Sequence, residues 1–224
     1  MMKLTETIKK MCLFGVLLVG VLALCSPAYA VPYGFTCITN NSSSGDCTTG
    51  ENQLSVDVTS AEGGQVLFTF KNIGLNASSI ADVYFDDGTL LDIATILNYT
   101  GVVFSEGASP SDLPGGNTIT PAFVTTQGFL ADSDPPAQPN GVNPGESLGI
   151  QFSLQSGQTF EDTINALSDG SLRIGIHVQG FADGESESFV NRPPDQVPEP
   201  STLLLLGSGL VGLGLAGRRF IGRI

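Results

Sequence analysis

Short runs in which apolar and polar residues alternate constrain this chain most, because a period of two is the pattern of a β-strand with one buried face. Ser171–Gln179 shows the pattern most clearly, with an inward and an outward set of side chains: Leu172, Ile174, Ile176 and Val178 against Arg173, Gly175, His177 and Gln179. Leu54–Val58, Val66–Phe70 and Ser147–Leu154 alternate in the same way. Turns about every 8–12 residues complete the pattern, so we predict an all-β fold, an antiparallel β-sandwich of jelly-roll type.

Turn signals predict how these strands are connected. Asp86-Asp87-Gly88 lies between Ile80–Phe85 and Thr89–Ile96 and indicates a hairpin, because glycine accepts a positive φ. Val31–Gln53 lacks periodicity, and we expect it to form an ordered loop. Two segments rich in turn residues are expected to be surface loops, namely Ser109–Pro121 and Ala131–Gly145. The segment Phe181–Asn191 is expected to add an edge strand.

One short helix is predicted after the strand Ser147–Leu154. Thr159 is suited to cap its N-terminus, Asp162 lies in its first turn, and Gly170 would end it. Three apolar residues at i, i+4 and i+7 would share its buried face, namely Phe160, Ile164 and Leu167.

The N-terminus is typical of a secretory signal peptide. Three lysines precede an apolar stretch, Met11–Leu24, and small residues stand at Ala28 and Ala30. We therefore predict export by the general secretion machinery and cleavage of residues 1–30 by signal peptidase after Ala30, which leaves Val31 as the first residue. A lipoprotein signal ending at Cys25 is the alternative, but Leu24 is larger than such a signal requires.

The C-terminus carries a second targeting pattern with three parts. They are the triplet Pro198-Glu199-Pro200, the 17 uncharged residues Ser201–Gly217, and the arginines Arg218, Arg219 and Arg223. As a helix the uncharged run would span roughly 25 Å, and the arginines would stop it at the cytoplasmic side. We expect a signal peptide over residues 1–30, an exported domain over 31–191, a linker over 192–197, and a sorting and anchor segment over 198–224 with a transmembrane helix at 201–217.

This order of motif, apolar run and basic end resembles the PEP-CTERM sorting signal of exported bacterial proteins. The resemblance implies an intermediate anchored in the inner membrane, which an exosortase, a membrane-embedded processing enzyme, cuts near Pro-Glu-Pro. It also implies delivery to the cell surface or the extracellular matrix, where exopolysaccharide is a candidate partner. The middle region is similar to that of other PEP-CTERM proteins, without an implied biochemistry, at Asp82–Gly88, Pro139–Glu146 and Ile174–Phe181.

The exported part is strongly acidic. Residues 31–197 hold 20 of the 22 acidic side chains but only three of the nine basic ones, Lys71, Arg173 and Arg192, so their net charge is near −17. Such a surface repels nucleic acid, and we expect no nucleic-acid partner.

Two cysteines remain after removal of the signal peptide. Cys37 and Cys47 are ten residues apart in a polar segment, and an oxidising exterior favours a disulfide between them. A zinc site is the alternative, but two thiols without a nearby histidine make a poor one.

The sequence contains a match to a catalytic motif, but without the structural context that the motif requires. Residues 145–149 match G-x-S-x-G, the nucleophile elbow of serine hydrolases, which lies between a strand and a helix. Here a loop precedes Ser147 and a strand follows it, and His177, the only histidine, is expected to face solvent. We therefore expect no enzymatic activity, no catalytic residue and no cofactor, and we expect a structural or interaction role.

The alternative role is a module that binds Ca²⁺ or a glycan. Carboxylates in turns can provide oxygen ligands for Ca²⁺, and the weak candidates are Asp86, Asp87, Asp132 and Asp134. None of them belongs to a complete EF-hand loop, and aspartate is also common in turns that bind nothing. The absence of tryptophan weakens the case for a sugar site without excluding it.

Overall fold

The computed structural model describes residues 30–41 and 45–192. The predicted signal peptide up to Tyr29, the predicted linker beyond Arg192 and the predicted sorting segment lie outside the described residues. None of the helices within the described ranges is long and apolar enough to cross a membrane.

Strands dominate the described chain. In chain order the elements are β1 (Val31–Cys37), α1 (Asp46–Gln53), β2 (Leu54–Ala61), β3 (Gln65–Asn72), β4 (Ser79–Asp86), β5 (Leu90–Asn98), β6 (Phe104–Glu106), β7 (Leu130–Ser133), α2 (Ala137–Asn140), β8 (Ser147–Leu154), α3 (Phe160–Asp169), β9 (Arg173–Gln179) and β10 (Glu187–Asn191). Single 3₁₀ turns occupy Glu62–Gly64 and Gly116–Thr118.

The ten described strands form one antiparallel sheet in the order β5-β8-β3-β2-β1-β10-β9-β4-β7-β6. Strand β1 joins its two halves, because Val31–Gly34 pairs with β2 whereas Phe35–Cys37 pairs with β10. The two ends of the sheet also approach each other, since the Asn98 side chain hydrogen bonds both backbone groups of Phe104 at 2.8 and 3.0 Å. The antiparallel all-β prediction is confirmed, and the sheet is nearly closed and barrel-like.

Aromatic rings from both halves of the sheet meet in the core. Phe85 of β4 lies with its ring centroid 5.1 Å from that of Phe68 on β3 and 4.6 Å from that of Phe152 on β8. All three side chains are fully buried, and the ring pairs meet edge to face, the arrangement that aromatic quadrupoles favour. The inward residues predicted on β2, β3, β8 and β9 supply a large share of the remaining core.

Helix α3 forms as the sequence predicts. Thr159 and Asp162 make a reciprocal capping box at its N-terminus, and Gly170 ends it with a φ of 81°. Two further helices are present, so the prediction of a single helix is wrong. The segment Val31–Gln53, predicted as a loop, contains β1 and α1. The segment Ala131–Gly145, also predicted as a loop, contains α2 and part of β7.

The predicted hairpin at Asp86-Asp87-Gly88 is wrong. β4 pairs with β7 and β9, and β5 pairs with β8, so this turn carries the chain from one half of the sheet to the other. β4 is buried from Ser79 to Phe85, which requires partners on both sides and cover on both faces. The edge position predicted for Phe181–Asn191 is also wrong, because β10 lies between β1 and β9.

Residues 107–129 cover the outer face of the half-sheet that contains β4 and β9. A second apolar cluster forms beneath them from Tyr84, Leu113, Phe123, Leu130 and Val190. Arg173 fastens this segment: its guanidinium pairs with Asp86, donates to the carbonyls of Pro121 and Ala122, and lies 5.3 Å from the centroid of the Phe123 ring. The part of this segment that was predicted as a plain surface loop, Ser109–Pro121, therefore covers a sheet face.

The chain enters and leaves the domain at the same end. The backbone N–H of Arg192 donates to the carbonyl of Gly34 at 3.0 Å, three residues from the start of β1. We call this the proximal end. The opposite, distal end carries α1 and the connections 73–78, 99–103, 134–146 and 180–186.

Candidate functional site

Ionisable side chains form a row across the outer face of the half-sheet. Asp132 on β7 is the register partner of Asp82 on β4, Asp82 is the partner of His177 on β9, and His177 is the partner of Ser188 on β10. We refer to Asp82, Asp132 and His177 as the Asp82 cluster. It is the largest group of titratable side chains that the described strands bring together in one row.

Asp82 is the buried centre of this cluster. It is only 2% exposed, and its Oδ2 lies 3.0 Å from Nδ1 of His177. The His177 side chain is itself 13% exposed, so the prediction that it faces solvent is wrong. The reason is the covering segment: at the next outward position of β9, a Cβ on Gly175 would lie 2.6 Å from Leu113, which shows how closely residues 107–129 approach this face.

The second carboxylate of the pair belongs to Asp132, which is partly exposed. Burial, followed by the negative charge of Asp82 opposite and a hydrogen bond between the two carboxyls, raises the pKa of Asp132 from 3.8 to about 6. Asp134 adds a further negative charge, and His177 acts in the opposite direction. Two carboxylates that face each other in this way are stabilised when a proton or a cation lies with them.

One oxygen of Asp82 has no hydrogen-bond partner. Its Oδ1 is buried and, when both Asp82 and Asp132 are ionised, accepts no hydrogen bond from any described residue, although Oδ2 is held by His177. A buried carboxylate oxygen without a donor is unfavourable, because desolvation is not compensated. The cluster therefore contains an unsatisfied negative site that opens toward solvent through Asp132.

The structure separates the four sequence-predicted calcium candidates. Asp86 is paired with Arg173 and its Oδ2 also accepts from the Val124 N–H, while exposed Asp87 accepts from the N–H of Gly88. Asp132 instead lies opposite Asp82, a residue that sequence reasoning did not select, and Asp134 adds its negative charge to the environment of Asp132. The signal that was available is an acidic residue within a strand otherwise buried along its length.

The residue types of a hydrolase triad occur here without its geometry. Ser188 is the cross-strand partner of His177, but it is 1% exposed and its Oγ makes no hydrogen bond. Ser147, from the elbow-like motif, pairs with Lys71 on β3 in the other half of the sheet and is followed by a strand. Neither serine is a nucleophile activated by a histidine.

The distal end is held together by covalent and polar links. Cys37 and Cys47 form the predicted disulfide, which ties α1 to the end of β1 with a Cα–Cα distance of 5.3 Å. The fully buried Glu187 accepts a hydrogen bond from the N–H of Asn41 at 2.8 Å. Because both sulfurs are used in the disulfide, the zinc alternative is not supported.

An open cleft of about 390 Å³ lies at this distal end. Three segments line it: Asp46 comes from α1, Asn76 from the connection 73–78, and Phe181 and Asp183 from the connection 180–186. The side chain of Leu75, next to Asn76, is 97% exposed. The cleft therefore combines carboxylate, amide and apolar groups on a surface far from the proximal end.

In comparison with known proteins, the C-terminal segment matches a protein-sorting signal. Residues 196–219 match the PEP-CTERM protein-sorting motif, so the chain is exported, is sorted to the cell envelope and is a substrate type for an exosortase. The match contains Pro198, Glu199, Pro200, Arg218 and Arg219, as the sequence predicts, and ends before Arg223. No curated protein and no solved structure gives a significant match to the chain.

The remaining predicted processing residues are only partly described. Val31 begins β1, Ala30 precedes it in the described chain, and Ala28 lies outside the described residues. The sorting triplet and the arginines lie outside them as well.

Proposed function

We propose that residues 31–191 form a non-catalytic domain with a structural or interaction role at the cell surface or in the extracellular polysaccharide matrix. The signal peptide delivers it, signal peptidase cuts after Ala30, and an exosortase later releases it by cutting at or next to Pro198-Glu199-Pro200. We interpret the barrel-like sheet as a variant of the jelly-roll sandwich. The observation that carries this proposal is that the sorting motif begins at residue 196, directly after a domain whose last described residue is Arg192.

The position of the chain ends supports the proposed order of processing. Arg192 is hydrogen bonded to Gly34 near the start of β1. The chain therefore connects to both proposed cleavage sites at the proximal end of the domain. From Arg192 to Pro198 is six residues, a reach of at most about 20 Å. A domain anchored by this tail would sit close to the membrane with its proximal end toward it, and its distal cleft would face outward.

The arrangement of the polar clusters supports a role without catalysis. Ser188 is buried beside His177 and does not hydrogen bond to it, and Asp82 lies beneath the surface. The strong negative charge of the exported part also favours solubility and cationic or neutral partners over anionic ones.

Substitution of Glu199 tests this proposal. In a host with an active exosortase, the wild-type protein should lose residues 201–224, whereas Glu199→Ala should remain full-length in the membrane fraction. Intact mass and membrane fractionation report the two states. Glu185→Ala is a matched control, because it removes an exposed glutamate of the domain and should be processed like the wild type. Retention of the tail by the wild-type protein in such a host would mean that the segment is a plain anchor.

A glycan-binding module remains the second candidate function, and the distal cleft favours it. Carboxylate and amide groups such as Asp183 and Asn76 are suited to bind hydroxyl groups, and the cleft faces away from the anchored end. The exopolysaccharide of the native host is the probe. Binding that is weakened by Asn76→Ala and unchanged by Asp87→Asn would support this function, and equal binding by both variants would argue against the cleft.

A further inference from the structure

We propose that Asp82 and Asp132 bind a calcium ion between β4 and β7. This site lies outside the sorting function and assigns residues to calcium binding, for which the sequence offered only carboxylate clusters on turns. It rests on two observations: a buried oxygen without a hydrogen-bond donor, and a second, partly exposed carboxylate directly opposite it.

The unpartnered oxygen is the stronger of the two. Asp82 is 2% exposed, so water does not solvate its carboxylate as it would at the surface. His177 satisfies only Oδ2, at 3.0 Å, and leaves Oδ1 buried without a hydrogen bond. A cation at Oδ1 would compensate the desolvation of this carboxylate, which no described protein donor does.

The opposing carboxylate completes the charge of the site. Asp132 is the register partner of Asp82 on the neighbouring strand, so both side chains leave the same face of the sheet side by side. Asp134 is close enough to add its negative charge. Facing carboxylates repel each other unless a positive charge lies between them, and Asp132 is open to solvent, which gives a cation access.

The ligand chemistry favours calcium over other metals. Carboxylate oxygens are hard ligands, and the nearest nitrogen, His177 Nδ1, is already engaged with Asp82. Calcium accepts an irregular shell completed by water, whereas magnesium requires near-octahedral geometry. With only two carboxylates in contact, we expect the weak affinity of extracellular calcium modules, a Kd of about 10⁻⁴–10⁻³ M.

Calcium titration of the full-length protein tests the site. The chain is purified in detergent, treated with EDTA, and titrated with CaCl₂ at pH 7.5 and constant ionic strength, with thermal unfolding and calorimetry as readouts. The wild-type protein should show a saturable rise in Tm with a midpoint of about 0.1–1 mM, because a ligand that binds only the folded state stabilises it. Asp132→Asn should abolish this rise, and Asp87→Asn, the matched control in the exposed turn, should retain it.

Asp132→Asn carries the test even if Asp82→Asn fails to fold, because Asp132 is partly exposed. No saturable response in the wild-type protein would overturn the proposal, and so would a response that persists in Asp132→Asn or is lost in Asp87→Asn. Processing of the tail is read from Glu199→Ala, so failure of the calcium site and failure of the sorting proposal are distinguishable.

Discussion

Replacing His177 with alanine should destabilise the domain by about 2–3 kcal/mol, although the residue lies at an outward position of β9. The side chain holds Oδ2 of Asp82 at 3.0 Å, and Oδ1 of the same carboxylate has no hydrogen-bond partner. In His177→Ala the carboxylate of a residue that is 2% exposed would lose its histidine donor, and the hydrogen bond that it shares with Asp132 requires a proton on one of the two carboxyls. Leaving a buried polar group unpaired costs about 1–3 kcal/mol, and more when the group is charged, which sets the expected size.

Urea unfolding at pH 7 of the chain that begins at Val31 and ends at Arg192 measures this effect. His177→Asn is the rescue variant, because its amide can place a donor near the position of Nδ1 and should recover part of the loss. Gln179→Ala, two residues along the same face, is the control and should change the free energy of unfolding by about 0.5 kcal/mol or less. If His177→Ala lowers the free energy of unfolding by only about 0.5 kcal/mol or less, the reasoning is refuted and His177 behaves as a solvated residue.

Two further predictions follow from the covering segment and the facing carboxylates. The pKa of Asp132 is raised to about 6 in the folded chain, so the folded state binds more protons than the unfolded state between about pH 4 and 6. The free energy of unfolding should therefore fall as the pH rises through this range. In EDTA, Asp132→Asn should therefore exceed the wild-type stability at pH 7.5 and approach it near pH 3.5, as measured by urea unfolding. Arg173→Ala should release residues 107–129 and increase protease cleavage within them about tenfold, because several charge-assisted hydrogen bonds are lost. Lys71→Ala, which removes the more exposed Lys71–Asp57 pair, should leave cleavage unchanged.

The sequence predicted the strands in which apolar residues alternate and the helix with a complete cap. In β2, β3, β8 and β9 the alternation reflects burial directly, and in α3 the signals at Thr159 and Gly170 are local. β1 was missed although Val31, Tyr33 and Phe35 alternate, because Pro32 and Gly34 between them are typical of turns. Strand β4 was predicted, but its partners were not, since a tight turn does not specify whether the next strand pairs with it or crosses the core.

The site was predictable only in part, for a related reason. Asp132 and Asp134 were selected as a carboxylate cluster on a turn, whereas Asp82, the partner of Asp132, is 50 positions earlier in a strand that looked purely structural. The environment of His177 depends on residues 107–129, whose proline-rich sequence indicates a loop and does not reveal which sheet face the loop covers. Strand partners and the cover of a sheet are decided by long-range packing, which local patterns do not encode.

What the sequence determined by itself is the destination of the chain and its all-β class. The sorting signal is a short continuous motif and the strand pattern has a period of two, so both can be read over a few residues. The tertiary structure alone decided that β1 joins two half-sheets, that Arg192 after the last strand meets Gly34 in the first strand, and that Asp82 faces Asp132 beside a largely covered His177. These features arise because the sheet nearly closes around one core, which brings together side chains that are far apart in the chain.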